Sequence, residues 1–383
     1  MAGWVLAGTA LAAWLWLLLC RGFFWRTDQR LPSPVEPERW PSVAVVVPAR
    51  DEAAMLPATL PTLLCQRYAG DARVIVVDDG STDGTAEAAR RIAADVAGLP
   101  LTVLAAGTPP PGWAGKLWAL SRGVAEAGQV DYLLFTDADV AHGPRSLAAL
   151  VAAASGGREL VSQMARLRTE AAWERLVVPA FVYFFAMLYP FRWVNRASAR
   201  TAAAAGGCVL LRRDVLSRAG GLDAIRGAVI DDVTLARLVQ RAGGRLWLGL
   251  ATDVRSLRPY PRLGDLWRMI ARSAYTQLRY SPLLLGVTVL GLALLFLVPP
   301  VSAVVGALAG DVPVLLLGVA AWLVMAASFV PMLRYHRLPV STALLLPAVA
   351  VLYASMTVDS ARRHLSGRGA AWKGRSYSAP GRR

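Results

Sequence analysis

The hydrophobic rhythm of the chain changes three times along its length. Residues 1–20 are apolar and carry no charged side chain. A run of about 20 such residues is long enough to cross a bilayer as a helix. From Val43 the apolar runs shorten to four or five residues, each followed by a longer stretch of mixed polarity. Val43–Val47, ended by Pro48, reads as a strand, as do Arg73–Val77, Leu101–Ala105 and Tyr132–Phe135. Ala53–Cys65, Thr82–Ala94 with Ser81 as its cap, and Ala114–Ala127 read as helices. Such alternation predicts an α/β domain, a parallel sheet covered by helices.

Beyond that domain core the pattern becomes helical and apolar again. Leu176–Tyr189 is rich in aromatic residues but interrupted by Pro179, and reads as a helix on a bilayer surface in preference to a span. Over Arg262–Tyr280, Leu263, Leu266, Trp267, Ile270, Ala271, Ala274, Tyr275 and Leu278 recur at helical spacing, with Arg268, Arg272 and Arg279 elsewhere. That is the pattern of an interfacial amphipathic helix. Leu283–Met332 has a single charged residue, Asp311, and apolar sequence resumes over Leu338–Val358. The expected organisation is an anchor (1–25), a proline-rich linker (26–41), the α/β domain (42–261), an interfacial helix (262–281), membrane segments (283–358) and a basic tail (359–383).

Composition agrees with a membrane protein: 55% of the 383 residues are hydrophobic and the mean hydropathy is +0.43. The net charge of +15 comes mostly from arginine. Arg21, Arg26 and Arg30 follow the first apolar run and no basic residue precedes it, which predicts an outside amino terminus and a cytoplasmic chain after Arg21. No small-residue cleavage site follows the run, so it reads as a retained anchor. Arginines beside apolar segments point to anionic lipid and phosphate-bearing substrates. No zinc-ligand spacing or basic recognition helix appears, which excludes nucleic acid as the expected partner. Cys20, Cys65 and Cys208 are far apart and imply neither disulfide nor metal knuckle; they read as buried small hydrophobes. One conflict stays open. Arg334, His336 and Arg337 favour the cytoplasm, as does Ala361–Arg383, yet a single span between them would separate them. Either Pro299–Pro300 breaks a re-entrant hairpin or one apolar segment does not cross.

The chemistry sits at the strand ends. Tyr132–Phe135 runs into Thr136-Asp137-Ala138-Asp139, a D-x-D whose two carboxylates can reach a hard divalent cation, Mg²⁺ or Mn²⁺, bridging a diphosphate. Val74–Val77 runs into Asp78-Asp79-Gly80-Ser81; one aspartate suits the turn and the other a uracil-like imide. Pro48-Ala49-Arg50-Asp51-Glu52 adds acids at a third strand end. The carboxyl edge of an open α/β sheet is where ligands bind. Lys116, flanked by glycine at a helix start, suits a phosphate. In Asp231-Asp232 the adjacent charges raise each other's pKa, which fits one of them to take a proton from a hydroxyl; a helix cap is the competing reading. His142 is either a metal neighbour or a loop histidine, and His336 and His364 read as headgroup neighbours.

In order, Pro48–Glu52, Val77–Asp83, Gly115-Lys116, Asp137–Asp139, Gly206-Gly207, Gly220–Asp223 and Asp231-Asp232 resemble the family 2 glycosyltransferases, inverting enzymes with a GT-A fold. The resemblance covers Pro41 to about Tyr280. It implies that Asp79 binds the base and Glu52 the nucleoside, that Pro48, Asp78, Lys116 and Asp137 also bind the donor, and that Asp139 with Asp137 holds the metal. It implies Asp232 as base with Asp231 beside it, and Gly206, Gly207, Arg279 and Tyr280 on the acceptor or diphosphate side. Asp231 stands where the family has glutamate, and Thr276 where its processive members have the glutamine of Q-x-x-R-W. Gly112–Leu120, Tyr189–Trp193 and Ala371–Tyr377 are similar to the hopene-associated transferases of bacterial hopanoid clusters, which implies a nucleotide-sugar donor, a lipid acceptor and a bacterial cytoplasmic membrane. A processive polysaccharide synthase and a non-catalytic nucleotide-sugar-binding protein are the rival readings.

Overall fold

The computed structural model describes residues 2–32, 36–198, 200–366, 371–372 and 375–376. Lys373 and Tyr377 of the carboxyl-terminal motif lie outside them. The first half of the chain forms α1 (Ala2–Cys20), β1 (Val43–Ala49), α2 (Leu56–Leu64), β2 (Ala72–Asp78), α3 (Thr85–Asp95), β3 (Leu101–Ala105), α4 (Gly115–Glu126) and β4 (Tyr132–Thr136). Then come β5 (Val140–His142), α5 (Ser146–Ser155), β6 (Leu160–Arg166), α6 (Ala172–Leu188), α7 (Phe191–Val194), β7 (Cys208–Arg212), α8 (Arg213–Arg218), α9 (Asp231–Arg241) and β8 (Leu246–Ser256). The rest is helical: α10 (Leu263–Ala271), α11 (Ala274–Gln277), α12 (Pro282–Leu292), α13 (Val298–Ala309), α14 (Val312–His336) and α15 (Leu346–Leu365).

Two compact units result. One gathers Asp28–Arg168 and Trp193–Pro259; the other Met1–Thr27, Thr169–Arg192 and Tyr260–Ala371. Residues 169–192, expected inside a continuous domain over 42–261, thus group with the apolar helices.

The first unit is built on an eight-stranded sheet ordered β3-β2-β1-β4-β7-β6-β8-β5. β1, β2, β3 and β4 are mutually parallel, whereas β7 is antiparallel to both β4 and β6, and β8 runs parallel to β6. The sheet is therefore mixed, and β1, β2, β4 and β8 end on one edge. Val45, Val74, Val76, Leu134 and Leu210 are fully buried in its core beside Leu60 and Leu150. β1 runs through Pro48 to Ala49, past the expected stop. Its pairing with β4 ends at Val46 and only β2 accompanies it further, so a residue without an N–H is tolerated. α2 and α3 start about three residues late. Ser81 does not cap α3: its hydroxyl bonds Asp78, and Asp83 receives the Thr85 N–H at 3.1 Å.

In the second unit α13 and α14 form an antiparallel hairpin around Gly310 (φ 67°) and Asp311, whose carboxylate caps α14 by accepting the Val314 N–H at 3.2 Å. The helices touch through glycine: a Cβ at Gly306 would lie 2.4 Å from Leu315 N, and one at Gly318 2.4 Å from Ala303 N. Pro299-Pro300 breaks nothing, because both sit in the first turn of α13, where a missing N–H is harmless. A π turn over Ala293–Leu297 joins α12 to α13, and the buried Trp14 indole of α1 donates to the Leu295 carbonyl at 2.6 Å. Trp4, at the start of α1, donates to Asp311 at 3.0 Å, so α1 runs parallel to α14.

Five expectations fail here. Pro179 does not interrupt α6, which packs on α14 and α15 with Tyr183 fully buried against Ser328 (2.6 Å). Arg262–Tyr280 is not one helix: it breaks between α10 and α11 and ends on Arg279 and Tyr280 with φ of 53° and 58°. Its apolar stripe, Leu266, Ile270, Ala271 and Tyr275, is buried against α15 and does not need a bilayer to cover it. The helix of the third apolar segment runs to Leu365, where Asp359 accepts from Trp267 (2.8 Å) and Arg363 (2.7 Å), so the expected tail begins inside α15. His336 is buried, not at a headgroup, while His364 stacks on Tyr280 at 4.3 Å. Of the cysteines only Cys208 is buried; Cys20 and Cys65 are exposed.

Candidate active site

The loops after β1 and β2 interlock. Asp79 N–H donates to Ala49 O at 2.8 Å, carrying the β1–β2 pairing one residue past the strands. The Asp51 carboxylate accepts Thr82 N–H (2.9 Å), Asp83 accepts Ala53 N–H (2.9 Å), and Thr85 Oγ1 accepts Glu52 N–H (2.8 Å). Burial works to raise the Asp83 pKa, but the Thr85 and Ala53 bonds outweigh it and hold the group below the usual carboxylate value. These reciprocal bonds consume the residues expected to open α2 and α3. They also hold Glu52 and Asp79 in place, both buried, with Arg50 Nη1 3.6 Å from the Asp79 carboxylate. Asp78 faces the other way: its carboxylate accepts Ser81 N–H and Oγ–H, a turn-holding role that departs from the expected donor contact.

Asp137 and Asp139 leave β4 on the same edge. Lys116 Nζ stands 2.8 Å from Asp137 Oδ1 and 3.2 Å from Asp231 Oδ2, so one ammonium joins the D-x-D to the acid pair opening α9. The geometry does not leave Lys116 pointing at an open phosphate site; it lines a cavity of about 20 Å³ with Pro48, Thr136, Asp137, Gly206 and Asp232. That is the room of about one water. Asp232 Oδ2 accepts Gly206 N–H at 2.9 Å and Oδ1 accepts Val233 N–H at 2.7 Å. A Cβ on Gly206 would meet Asp232 Oδ2 and Lys116 Nζ at 3.4 Å, and Gly207 O accepts from Thr136 at 2.9 Å. The two glycines thus bring β7 close to both acidic groups.

Desolvation dominates the electrostatics. Burial, then the Asp231 charge, pushes Asp232 up to about 6 against the opposing pull of Lys116. Burial also raises Asp137, with Lys116 opposing and Asp139 adding. For Lys116 burial favours the neutral amine, yet Asp137 and Asp231 carry its pKa above the ordinary value and keep it charged.

One residue was not foreseen. Arg258, two positions past β8, sets Nε 2.9 Å from Asp139 Oδ2 and Nη2 2.5 Å from Glu52 Oε1. Ser256 Oγ adds a bond to Asp139 at 3.1 Å. The same strand-end rule that picked the aspartates would have found Arg258 had Leu246–Ser256 been read as a strand. His142 is a strand residue, bonded to Thr136 (2.8 Å) and Ser146 (3.0 Å), and burial lowers its pKa to about 4. Arg279 and Tyr280 belong to the helical unit, where Tyr280 receives the Thr276 hydroxyl at 3.1 Å.

Among the described residues no group of three or more His, Cys, Asp or Glu side chains could hold a metal ion alone. Two carboxylates one residue apart still fit Mg²⁺ or Mn²⁺, hard cations that take oxygen donors and complete their shell with water and substrate phosphate.

Residues 41–276, more than half of the chain, match the family described as "Glycosyltransferase like family 2". The chain is 35% identical over 135 residues to an undecaprenyl-phosphate 4-deoxy-4-formamido-L-arabinose transferase of Aeromonas hydrophila, a match covering 35% of this chain and 39% of that protein. It therefore spans well under half of that relative. The mannosyltransferase PcManGT of Pyrobaculum calidifontis, solved with GDP-Man and Mn²⁺, is similar in fold with a TM-score of 0.58 and 22% identity, over 95% of this chain and 99% of that one. The glucosyl-3-phosphoglycerate synthase of Mycobacterium tuberculosis, solved with Mn²⁺ and UDP-glucose, has a TM-score of 0.37 and 22% identity over 60% of this chain and 77% of its own.

Proposed function

The chain belongs to the glycosyltransferase like family 2, and from that premise we propose a membrane-bound inverting transferase that moves a sugar from a UDP-linked donor to a lipid hydroxyl. The observation that carries this reading is the convergence of the D-x-D and the Asp231–Asp232 pair on one sheet edge, with Lys116 between them. A lipid acceptor draws support from the Aeromonas relative, whose name specifies a lipid phosphate. Within that class, the motif resemblance favours a hopanoid.

In this mechanism Glu52 and Asp79, held by the interlocked loops, bind the nucleoside. Asp137 and Asp139 would hold Mg²⁺ or Mn²⁺, which when bound neutralises charge on the departing diphosphate. Asp232 takes the acceptor proton while the hydroxyl oxygen attacks the anomeric carbon and the bond to the diphosphate breaks. With its pKa lifted to about 6, Asp232 is ionised at neutral pH yet basic enough to receive a proton. Gly206 N–H aims one of its oxygens, and Lys116 pairs with Asp231.

The membrane reading is three crossings. Among the described residues five helices are long and apolar enough to cross by length and composition: α1, α6, α12–α13, α14 and α15. α6, 61% of whose apolar window is buried inside the protein, is read as not crossing. α15 is read the same way. The segment after His336 starts at the end of the hairpin opposite Asp311, and His364 lies on Tyr280, just before α12, at that same end. Arg21, Arg334, Arg337, Arg362 and Arg363 then share one side, which the positive-inside rule makes cytoplasmic. On this reading the charge conflict is relieved, with a cytoplasmic transferase domain. Three crossings are few for a polymer channel, which disfavours a processive synthase.

Purified protein incubated with UDP- and GDP-sugars and total bacterial lipid tests the reading by mass spectrometry. The expected product is a lipid heavier by one glycosyl residue. Absence of both lipid modification and nucleoside diphosphate release overturns it, and a ladder of polymer masses replaces it with a synthase.

A further inference from the structure

Both carboxylates of the D-x-D already have a cation of the chain's own. Lys116 holds Asp137, and Arg258 holds Asp139 together with Glu52. Asp139 and Glu52 are both buried, and the guanidinium that spans them is only 30% exposed. Without it two desolvated acids would face each other uncompensated, a costly arrangement. Charge-assisted bonds of this kind are among the stronger hydrogen bonds a protein makes.

Resting on the transferase reading above, we propose that Arg258 is a resident counter-cation that competes with the divalent metal for Asp139, so that the site takes up metal and nucleoside diphosphate together and holds metal alone only weakly. A divalent ion arriving alone must compete with Arg258 for the Asp139 charge and share the edge with that guanidinium and with Lys116. A diphosphate reverses the balance, because it brings negative oxygens that both bind the ion and give Arg258 a replacement partner. Arg258 is thus a positioning residue for the acidic edge, and its effect appears in binding before any chemistry occurs.

Mn²⁺ binding followed by electron paramagnetic resonance on the purified full-length protein tests this without turnover. The wild type should bind Mn²⁺ at least about tenfold more tightly with UDP than without it. Arg258→Gln should strengthen Mn²⁺ binding in the absence of nucleotide by about tenfold, the order expected from removing one adjacent, partly exposed charge. Arg258→Lys, which keeps the charge, should stay within about threefold of wild type by the same reasoning. Asp139→Asn added to Arg258→Gln should abolish the gain. If Arg258→Gln folds and gains no affinity for free Mn²⁺, or if the wild type binds Mn²⁺ equally with and without UDP, the competition is refuted. Neither result touches the transferase reading, which fails instead if wild-type protein binds neither UDP nor GDP with Mn²⁺ present. Should Arg258→Gln not fold, Arg258→Met is read against the same outcomes.

Discussion

At the scale of single residues, the site is governed by how few cations serve how many acids. Lys116 pairs with Asp137 and Asp231, while burial and the Asp231 charge raise Asp232 against the pull of that same ammonium. If Asp232 is the base, Asp232→Asn lowers turnover by roughly 10²–10⁴-fold, with UDP affinity unchanged by calorimetry. A mere helix cap would instead lose about 1 kcal/mol of stability and keep its turnover. Asp231→Asn should cost less activity than Asp232→Asn. The pH profile carries the sign: activity needs the carboxylate, so kcat/KM should fall as pH drops through about 6. Lys116→Gln removes a cation that favours the carboxylate and should move that acid limb to higher pH. Asp231→Asn removes a like charge and should move it lower. A limb that stays put in both variants would separate Asp232 from the rate.

At the scale of elements, glycine contacts and buried stripes decide what packs. Gly318→Ala places a methyl group 2.4 Å from Ala303 N and 2.9 Å from Pro299 O. Backbone atoms do not yield as side-chain ends do, so the α13–α14 hairpin should lose about 1–3 kcal/mol, seen as a lower melting temperature in detergent. Leu266→Ala should cost about 2–5 kcal/mol, because Leu266 is fully buried within its unit. A cysteine at Leu266 should label slowly in detergent and membranes alike; fast labelling in detergent alone would return the stripe to the bilayer. The amphipathic period over Arg262–Tyr280 was legible, but period alone does not say what covers a stripe. Here α15 covers it from far along the chain, as the Trp267–Asp359 bond across 92 positions illustrates.

At the scale of the whole molecule, the proposed three crossings make a testable map. Cysteines replacing Asp311 and Leu338 should label from opposite sides of sealed membrane vesicles, whereas those replacing Leu338 and Ser366 should label from the same side. Opposite-side labelling of Leu338 and Ser366 would make α15 a span. The sequence by itself determined the alternating strands and helices, the apolar segments, and the strand-end positions of Asp79, Asp137 and Asp139, because all of these are written in local period and in residue type. Tertiary structure decided the rest. Which of Asp78 and Asp79 holds the turn, why Lys116 meets Asp231, where Arg258 reaches, and which apolar helices pack together all depend on contacts between distant segments. Such contacts leave no local period: a carboxylate's partner is set by which strand ends beside it, and a helix's neighbour by which faces the rest of the chain leaves uncovered.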